Sequence, residues 1–208
     1  INGDGVRDLF ALTSMGSTNG FIRNGFCKAI SGADGSMMWQ VFGMSDNEEF
    51  GSSYARSDDV NFDNLEDIVV GSGGASSMGF FGNGYVQCVS ASYGWTMWRT
   101  NGTGNDQGIG ANVVMVADLN GDGKRDVIAH NAEGNSAGLY KNGLVMAISG
   151  TTGQVLWQAD GAIDNARFGG SVDDLGDING DGVSDIVIGA PGADASGPTR
   201  VDAGAVFV

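Results

Sequence analysis

Residues 118–134 read DLNGDGKRDVIAHNAEG and residues 177–193 read DINGDGVSDIVIGAPGA. In both, acidic and amide side chains alternate with small residues, then give way to a short apolar run. A third copy, DVNFDNLEDIVVGSGG, fills residues 59–74, so the copies start at Asp59, Asp118 and Asp177, 59 residues apart. A fourth, NGDGVRDLFALTS, begins at Asn2 and lacks the first two positions. Self-similarity at one fixed period is the mark of a repeat architecture.

Other residues keep the same interval. Trp39, Trp98 and Trp157 do so, as do Gly35, Gly94 and Gly153, and Gly25, Gly84 and Gly143. The pairs Phe50-Gly51, Ile109-Gly110 and Phe168-Gly169 share it too. Each period holds four short strand signals separated by turn residues. The first follows the acidic loop (Ile68 to Gly71, Val127 to Ala129, Ile186 to Ile188). The second is an alternating run (Phe26 to Ser31, Tyr85 to Ser90, Leu144 to Ser149), and a third ends near the Trp. A fourth approaches the next loop (Val113 to Ala117, Val172 to Leu175).

Four strands in about 59 residues is the size of a propeller blade. Leucine-rich repeats are shorter, and helical repeats need a 3.6-residue periodicity that these segments lack. The expectation is an all-β chain: a β-propeller of four-stranded blades, with the repeated Trp wedged between adjacent sheets. Residues 1–208 form one propeller segment, with repeats at 1–58, 59–117, 118–176 and 177–208.

The acidic loops carry the chemistry. Asp118, Asn120, Asp122 and Asp126 supply side-chain oxygens at loop positions 1, 3, 5 and 9, with the Lys124 carbonyl at position 7. That donor set suits Ca²⁺, which takes six to eight oxygens and tolerates irregular geometry. The next loop offers Asp177, Asn179, Asp181, Val183 (carbonyl) and Asp185. The loop before it offers Asp59, Asn61, Asp63, Leu65 (carbonyl) and Asp67, with Asn64 where the others have Gly. The first copy keeps Asn2, Asp4, Val6 (carbonyl) and Asp8, and is expected to bind poorly. An EF-hand needs a Glu at position 12, but Val70, Ala129 and Ile188 stand there, so that motif is excluded. The expectation is three complete calcium sites and a truncated fourth.

Bulk composition agrees. The chain has 208 residues, 37 of them Gly, and a net charge of −15. An acidic surface excludes nucleic acid and anionic membrane as main partners, and no stretch approaches the ~20 apolar residues of a membrane helix. Cys27 and Cys88 are read as small buried hydrophobes, an interblade disulfide being the alternative. His130, the only His, stands where other copies have Gly and is read as a turn residue. Asn101-Gly102-Thr103 is a glycosylation sequon placed in a Gly-rich loop.

The last repeat, FGGSVDDLGDINGDGVSDIVIGAPGA, resembles the FG-GAP repeat. The motif of that family is Phe-Gly, then an acidic calcium loop, then a strand ending in Gly-Ala-Pro. Phe168, Gly169 and Gly189-Ala190-Pro191 match it. Elsewhere Ile109 replaces Phe, and Gly71-Ser72-Gly73 and His130-Asn131-Ala132 replace Gly-Ala-Pro. The resemblance implies a seven-bladed propeller like the integrin α head, with calcium on one rim and partner recognition on the opposite face. It also implies export to the cell surface or outside the cell.

The chain holds about 3.5 periods, beginning within an acidic loop and stopping within a strand (GAVFV, 204–208). The expectation is part of a longer polypeptide, the ring completed by further blades or by another chain. Its leading function is a calcium-stabilised scaffold for adhesion, protein or glycan binding, or surface assembly. The alternative is the propeller part of a secreted enzyme, of the polysaccharide lyase or quinone-dependent dehydrogenase type, with catalytic residues outside this segment. No acid/base pair is evident apart from the loops, so a non-catalytic role is preferred. Partner contacts are expected at the loops Ser72 to Gly82 and Gly192 to Ala203.

Overall fold

The apolar runs become strands, and each strand pairs with its neighbour in sequence. A computed structural model describes residues 1–193 and 203–208; among these there is no helix. Among the described residues, fourteen strands form four antiparallel meanders. The first contains β1 (Leu9–Thr13), β2 (Phe26–Ile30) and β3 (Met37–Phe42). The second contains β4 (Phe50–Arg56), β5 (Ile68–Ser72), β6 (Tyr85–Val89) and β7 (Thr96–Asn101). The third contains β8 (Asn112–Val116), β9 (Asp126–Asn131), β10 (Leu144–Ile148) and β11 (Val155–Asp160). The fourth contains β12 (Ser171–Gly176), β13 (Asp185–Ala190) and β14 (Ala205–Phe207).

The 59-residue period survives, but the sheets are offset from the repeats as counted from the acidic loops. Arg56 pairs with Ile68 and Val116 with Asp126, so each loop joins two strands of one sheet. The strand that approaches a loop is therefore the first of its blade, not the last of the preceding one. The Trp-bearing strand, third after its acidic loop, also extends further than expected. It passes through the Trp, which faces Ala29, Cys88 or Ala147 across the ladder, beside a recurring bulge.

The blades stack through both faces. Val69, Val86, Cys88 and Trp98 pack against Val127, Ala129, Leu144, Met146 and Ile148 of the next sheet. The opposite face of the second sheet, with Ile68, Val70 and Val89, meets Cys27, Leu12 and Trp39 of the first sheet, and Phe50 of β4 lies in the same cluster. Ile128, Val145 and Ala147 face Ile186, Ile188 and Ala190. Strands covered on both sides read as near-continuous apolar runs, and β5, β6 and β10 are buried throughout.

The interval-keeping residues are the joints of this stack. Trp39 donates its indole N–H to the Ala91 carbonyl of the next blade at 2.8 Å. A Cβ on Gly94 would lie 2.7 Å from the Trp39 ring, so only Gly fits there. Gly25, Gly84 and Gly143 form parallel bridges to Phe50, Ile109 and Phe168, and a Cβ on any of them would strike the facing carbonyl. These three apolar residues at the blade-to-blade crossover are buried.

Asn24, Asn83 and Asn142, also 59 apart, are fully buried beside those glycines. Each donates from Nδ2 to a backbone carbonyl (Gly43, Gly102, Gly161) and accepts an N–H from Thr18, Ser77 or Ser136. Their interval was present in the sequence, but Asn before Gly reads there as an ordinary turn.

Candidate metal centres

All four acidic loops are built as chains of side-chain-capped turns. The position-3 Asn accepts the N–H of position 5 in every copy, at 2.8–3.0 Å: Asn2, Asn61, Asn120 and Asn179. The position-5 Asp accepts the N–H of position 7 at 2.8–2.9 Å: Asp4, Asp63, Asp122 and Asp181. Asp and Asn favour such local bonds because their short side chains reach the backbone two residues on. Position 1 gathers the loop amides. Asp118 accepts N–H groups from Gly121 at 2.7 Å and Gly123 at 2.7 Å, and Asp177 from Gly180 and Gly182. Backbone bonds, led by those from Gly123 and Gly182, hold both carboxyls below the usual carboxylate range.

The position-9 Asp locks each loop to its blade. Asp126 takes the Leu119 N–H on one oxygen at 2.8 Å and the Gly150 N–H on the other at 2.9 Å. Asp67 does the same with Val60 and Ala91, and Asp8 with Asn2 and Gly32. Asp185 binds Ile178 N–H and the Asn179 amide instead. Asp67 and Asp126 are buried at 1% and 0% exposure. Burial pushes both carboxyls up, and neighbouring Asp63, or Asp122 and Asp118, add like-charge repulsion.

This donor set is all hard oxygen, and a divalent cation would relieve that repulsion, so the residues fit Ca²⁺ by chemistry. Positions 1, 3, 5 and 9, with the carbonyl at 7, would hold it. In their present rotamers the carboxylates are turned onto loop amides. Among the described residues no three Asp, Glu, His or Cys side chains converge on one point.

Neighbouring loops are tied together, which the repeat alignment did not indicate. Lys124 donates from Nζ to the Asp59 carbonyl at 3.1 Å. Arg125 donates from its backbone N and its Nε to the Asp58 carboxylate at 2.7 and 2.9 Å. The second loop also departs from its siblings at two positions. Asn64 (φ 69°) was noted from sequence, and Phe62 (φ 62°) likewise stands where Gly3, Gly121 and Gly180 do.

Other expected residues fall as follows. His130 is not in a turn: it lies in β9, and its Nδ1–H donates to the Gly169 carbonyl of the next blade at 2.8 Å. Asn101 closes β7 instead of lying in a loop, and its Oδ1 accepts from Ser77. Cys27 and Cys88 are free, buried thiols in two different interblade layers. Of the expected contact loops, residues 194–202 lie outside the described residues, whereas Met78 and Phe81 are exposed at the end of the second blade opposite its acidic loop.

Meander blades with an acidic loop between the first and second strands define the chain as β-propeller blades. Residues 169–208 match the family model of the FG-GAP repeat. No curated protein matches the sequence.

Proposed function

We propose that the chain is a calcium-stabilised propeller scaffold that works at the cell surface or outside the cell. It holds ligand-binding surfaces in place and carries out no chemistry of its own. Its ligand is a protein, a glycan, or a further chain packing onto the stacked sheets. The observation that supports this most directly is the pair of buried position-9 carboxylates, Asp67 and Asp126, each set beside further loop acids, while the bases of the third loop, Lys124 and Arg125, turn away to the Asp59 carbonyl and the Asp58 carboxylate. Such an arrangement favours a bound divalent cation over an empty turn. The FG-GAP match, a repeat of surface and extracellular propellers, supports the placement outside the cell. Calcium there exceeds the 10⁻⁴–10⁻³ M dissociation constants of extracellular modules.

A cation bound only by the folded state stabilises it by about 2.7 kcal/mol per site at a hundredfold excess over Kd. Thermal unfolding at about 2 mM calcium and then in excess EDTA tests this. A large, reversible drop in Tm on chelation is expected; an unchanged Tm would reduce the loops to plain turns and remove the reading.

A further inference from the structure

The second blade carries aromatic side chains at its acidic-loop end that its fold does not require. Tyr93 and Trp95 flank Gly94 in the turn between β6 and β7, 62% and 58% exposed. Their ring centroids lie 4.7 Å apart with planes tilted by 34°. The equivalent turns carry Asp34 and Ser36, or Thr152 and Gln154, around the same Gly. The turn therefore needs only its glycine, which seats the Trp39 ring. Phe62, in the adjoining acidic loop, is 76% exposed and occupies a left-handed backbone position that its sibling loops fill with Gly. Bulky side chains are disfavoured there, so Phe62 sits against its own backbone preference.

Polar groups border these rings. Ser92 donates from Oγ to Asp63 Oδ2 at 2.6 Å, joining the aromatic turn to the acidic loop. Asn61 donates from Nδ2 to Ser90 Oγ and to Asp63 Oδ2. Lys124 Nζ sits 5.4 Å from the Phe62 ring centroid.

From this juxtaposition we propose that the acidic-loop end of the second blade binds a neutral saccharide, stacked on Tyr93 and Trp95 with its hydroxyls toward Ser92 and the rim of the adjoining acidic loop. An aromatic face is electron-rich, and the C–H face of a pyranose presents weakly positive hydrogens to it, with hydroxyls around the rim. The flanking Asp58, Asp59 and Asp63 and the net charge of −15 repel anionic glycans, phosphates and acidic lipid. The two rings touch each other, leaving no slot between them for a caged ammonium group, so a flat ligand on their outer faces fits best. This deepens the scaffold reading by naming a ligand class and a surface.

The test is calorimetric titration of the full chain with neutral hexasaccharides: β-1,4- and β-1,3-glucan, α-1,4-glucan, xylan, mannan and chitin oligomers. Tyr93→Thr and Trp95→Gln, which install the residues of the third blade, are run alongside with their Tm values. Binding by at least one oligomer is expected, weakened tenfold or more in each variant while Tm is kept. No heat with any oligomer at about 10 mM, well above a millimolar Kd, or equal binding by both variants, overturns the proposal. If either variant loses Tm, Tyr93→Ser is read in its place. Chelation is a separate arm: an unchanged Tm in EDTA defeats structural calcium, while the variant series still decides the saccharide site.

Discussion

The indole N–H of Trp98 donates to the Gly150 carbonyl of the following blade at 2.9 Å, and the Trp39–Ala91 pair repeats that bond one blade earlier. The ring lies over Gly153, whose absent side chain leaves its seat. One residue thus joins two sheets by a directed bond and by area. Trp98→Ala should destabilise the chain by about 3–5 kcal/mol, as for other buried aromatics. Trp157, 37% exposed, should lose clearly less on the same change. Urea unfolding of the two variants measures the difference; equal losses would deny Trp98 its role as a joint.

Glycines of similar conformation should differ in cost according to what faces them. Gly121 (φ +78°) has open space around its missing Cβ, so Gly121→Ala carries only the left-handed backbone penalty, about 1–2 kcal/mol. Gly153 (φ +74°) meets the Trp98 ring at 2.8 Å, so Gly153→Ala adds a steric clash to the same penalty. The second variant should therefore melt at a lower temperature than the first.

Two carboxylates of one loop should separate clamp from ligand. Asp126→Ala strips two backbone N–H groups of their acceptor and should lower Tm in EDTA as well as in calcium. Asp122→Asn keeps an oxygen for the Lys124 N–H but removes the negative charge and one cation-binding oxygen, so its Tm should fall mainly in calcium. Paired melts with and without chelator read both effects.

His130 should make stability depend on pH below neutrality. Burial pushes its imidazole below the ordinary value of 6.5, against the bond to Gly169, so the neutral ring is the folded form. An unfolded chain then binds more protons between the two values, and its share of stability is complete above pH 6.5 and lost as pH falls through that window. His130→Asn should flatten this part of the Tm–pH profile, as judged by the difference from the parent chain.

Both cysteines should be silent in the native protein. Burial pushes the Cys27 thiol up to about 12 and raises Cys88 as well. Alkylating reagents at mildly alkaline pH should label neither until the chain unfolds, and then both; labelling in the folded state would show that the interblade layers open.

Much of the architecture was legible in the chain, because a repeat reports each structural demand several times. The blade period, the strand positions, the turn glycines and the wedge Trp all follow from intervals of 59 residues. The side-chain-capped turns of the loops follow as well, since alternating Asp, Asn and Gly favour such local bonds in a tight bend. The buried Asn24, Asn83 and Asn142 were equally periodic but concealed, because Asn-Gly is also an ordinary turn dipeptide. What periodicity does not carry is phase. A repeat may be cut at any point, and only the hydrogen-bond ladder shows that Arg56 and Ile68 belong to one sheet.

The sequence by itself thus determined the local code: which residues bend, which alternate, and which side chains cap the turns of each loop, all within a few positions of one another. Only the tertiary structure decided the contacts between blades. Lys124 on the Asp59 carbonyl, His130 on Gly169, and Trp98 on the Gly150 carbonyl depend on which loops come together in space. The physical reason is range. Backbone propensity and turn chemistry act over two to five residues, whereas these contacts are set by the stacking of whole sheets through their apolar faces.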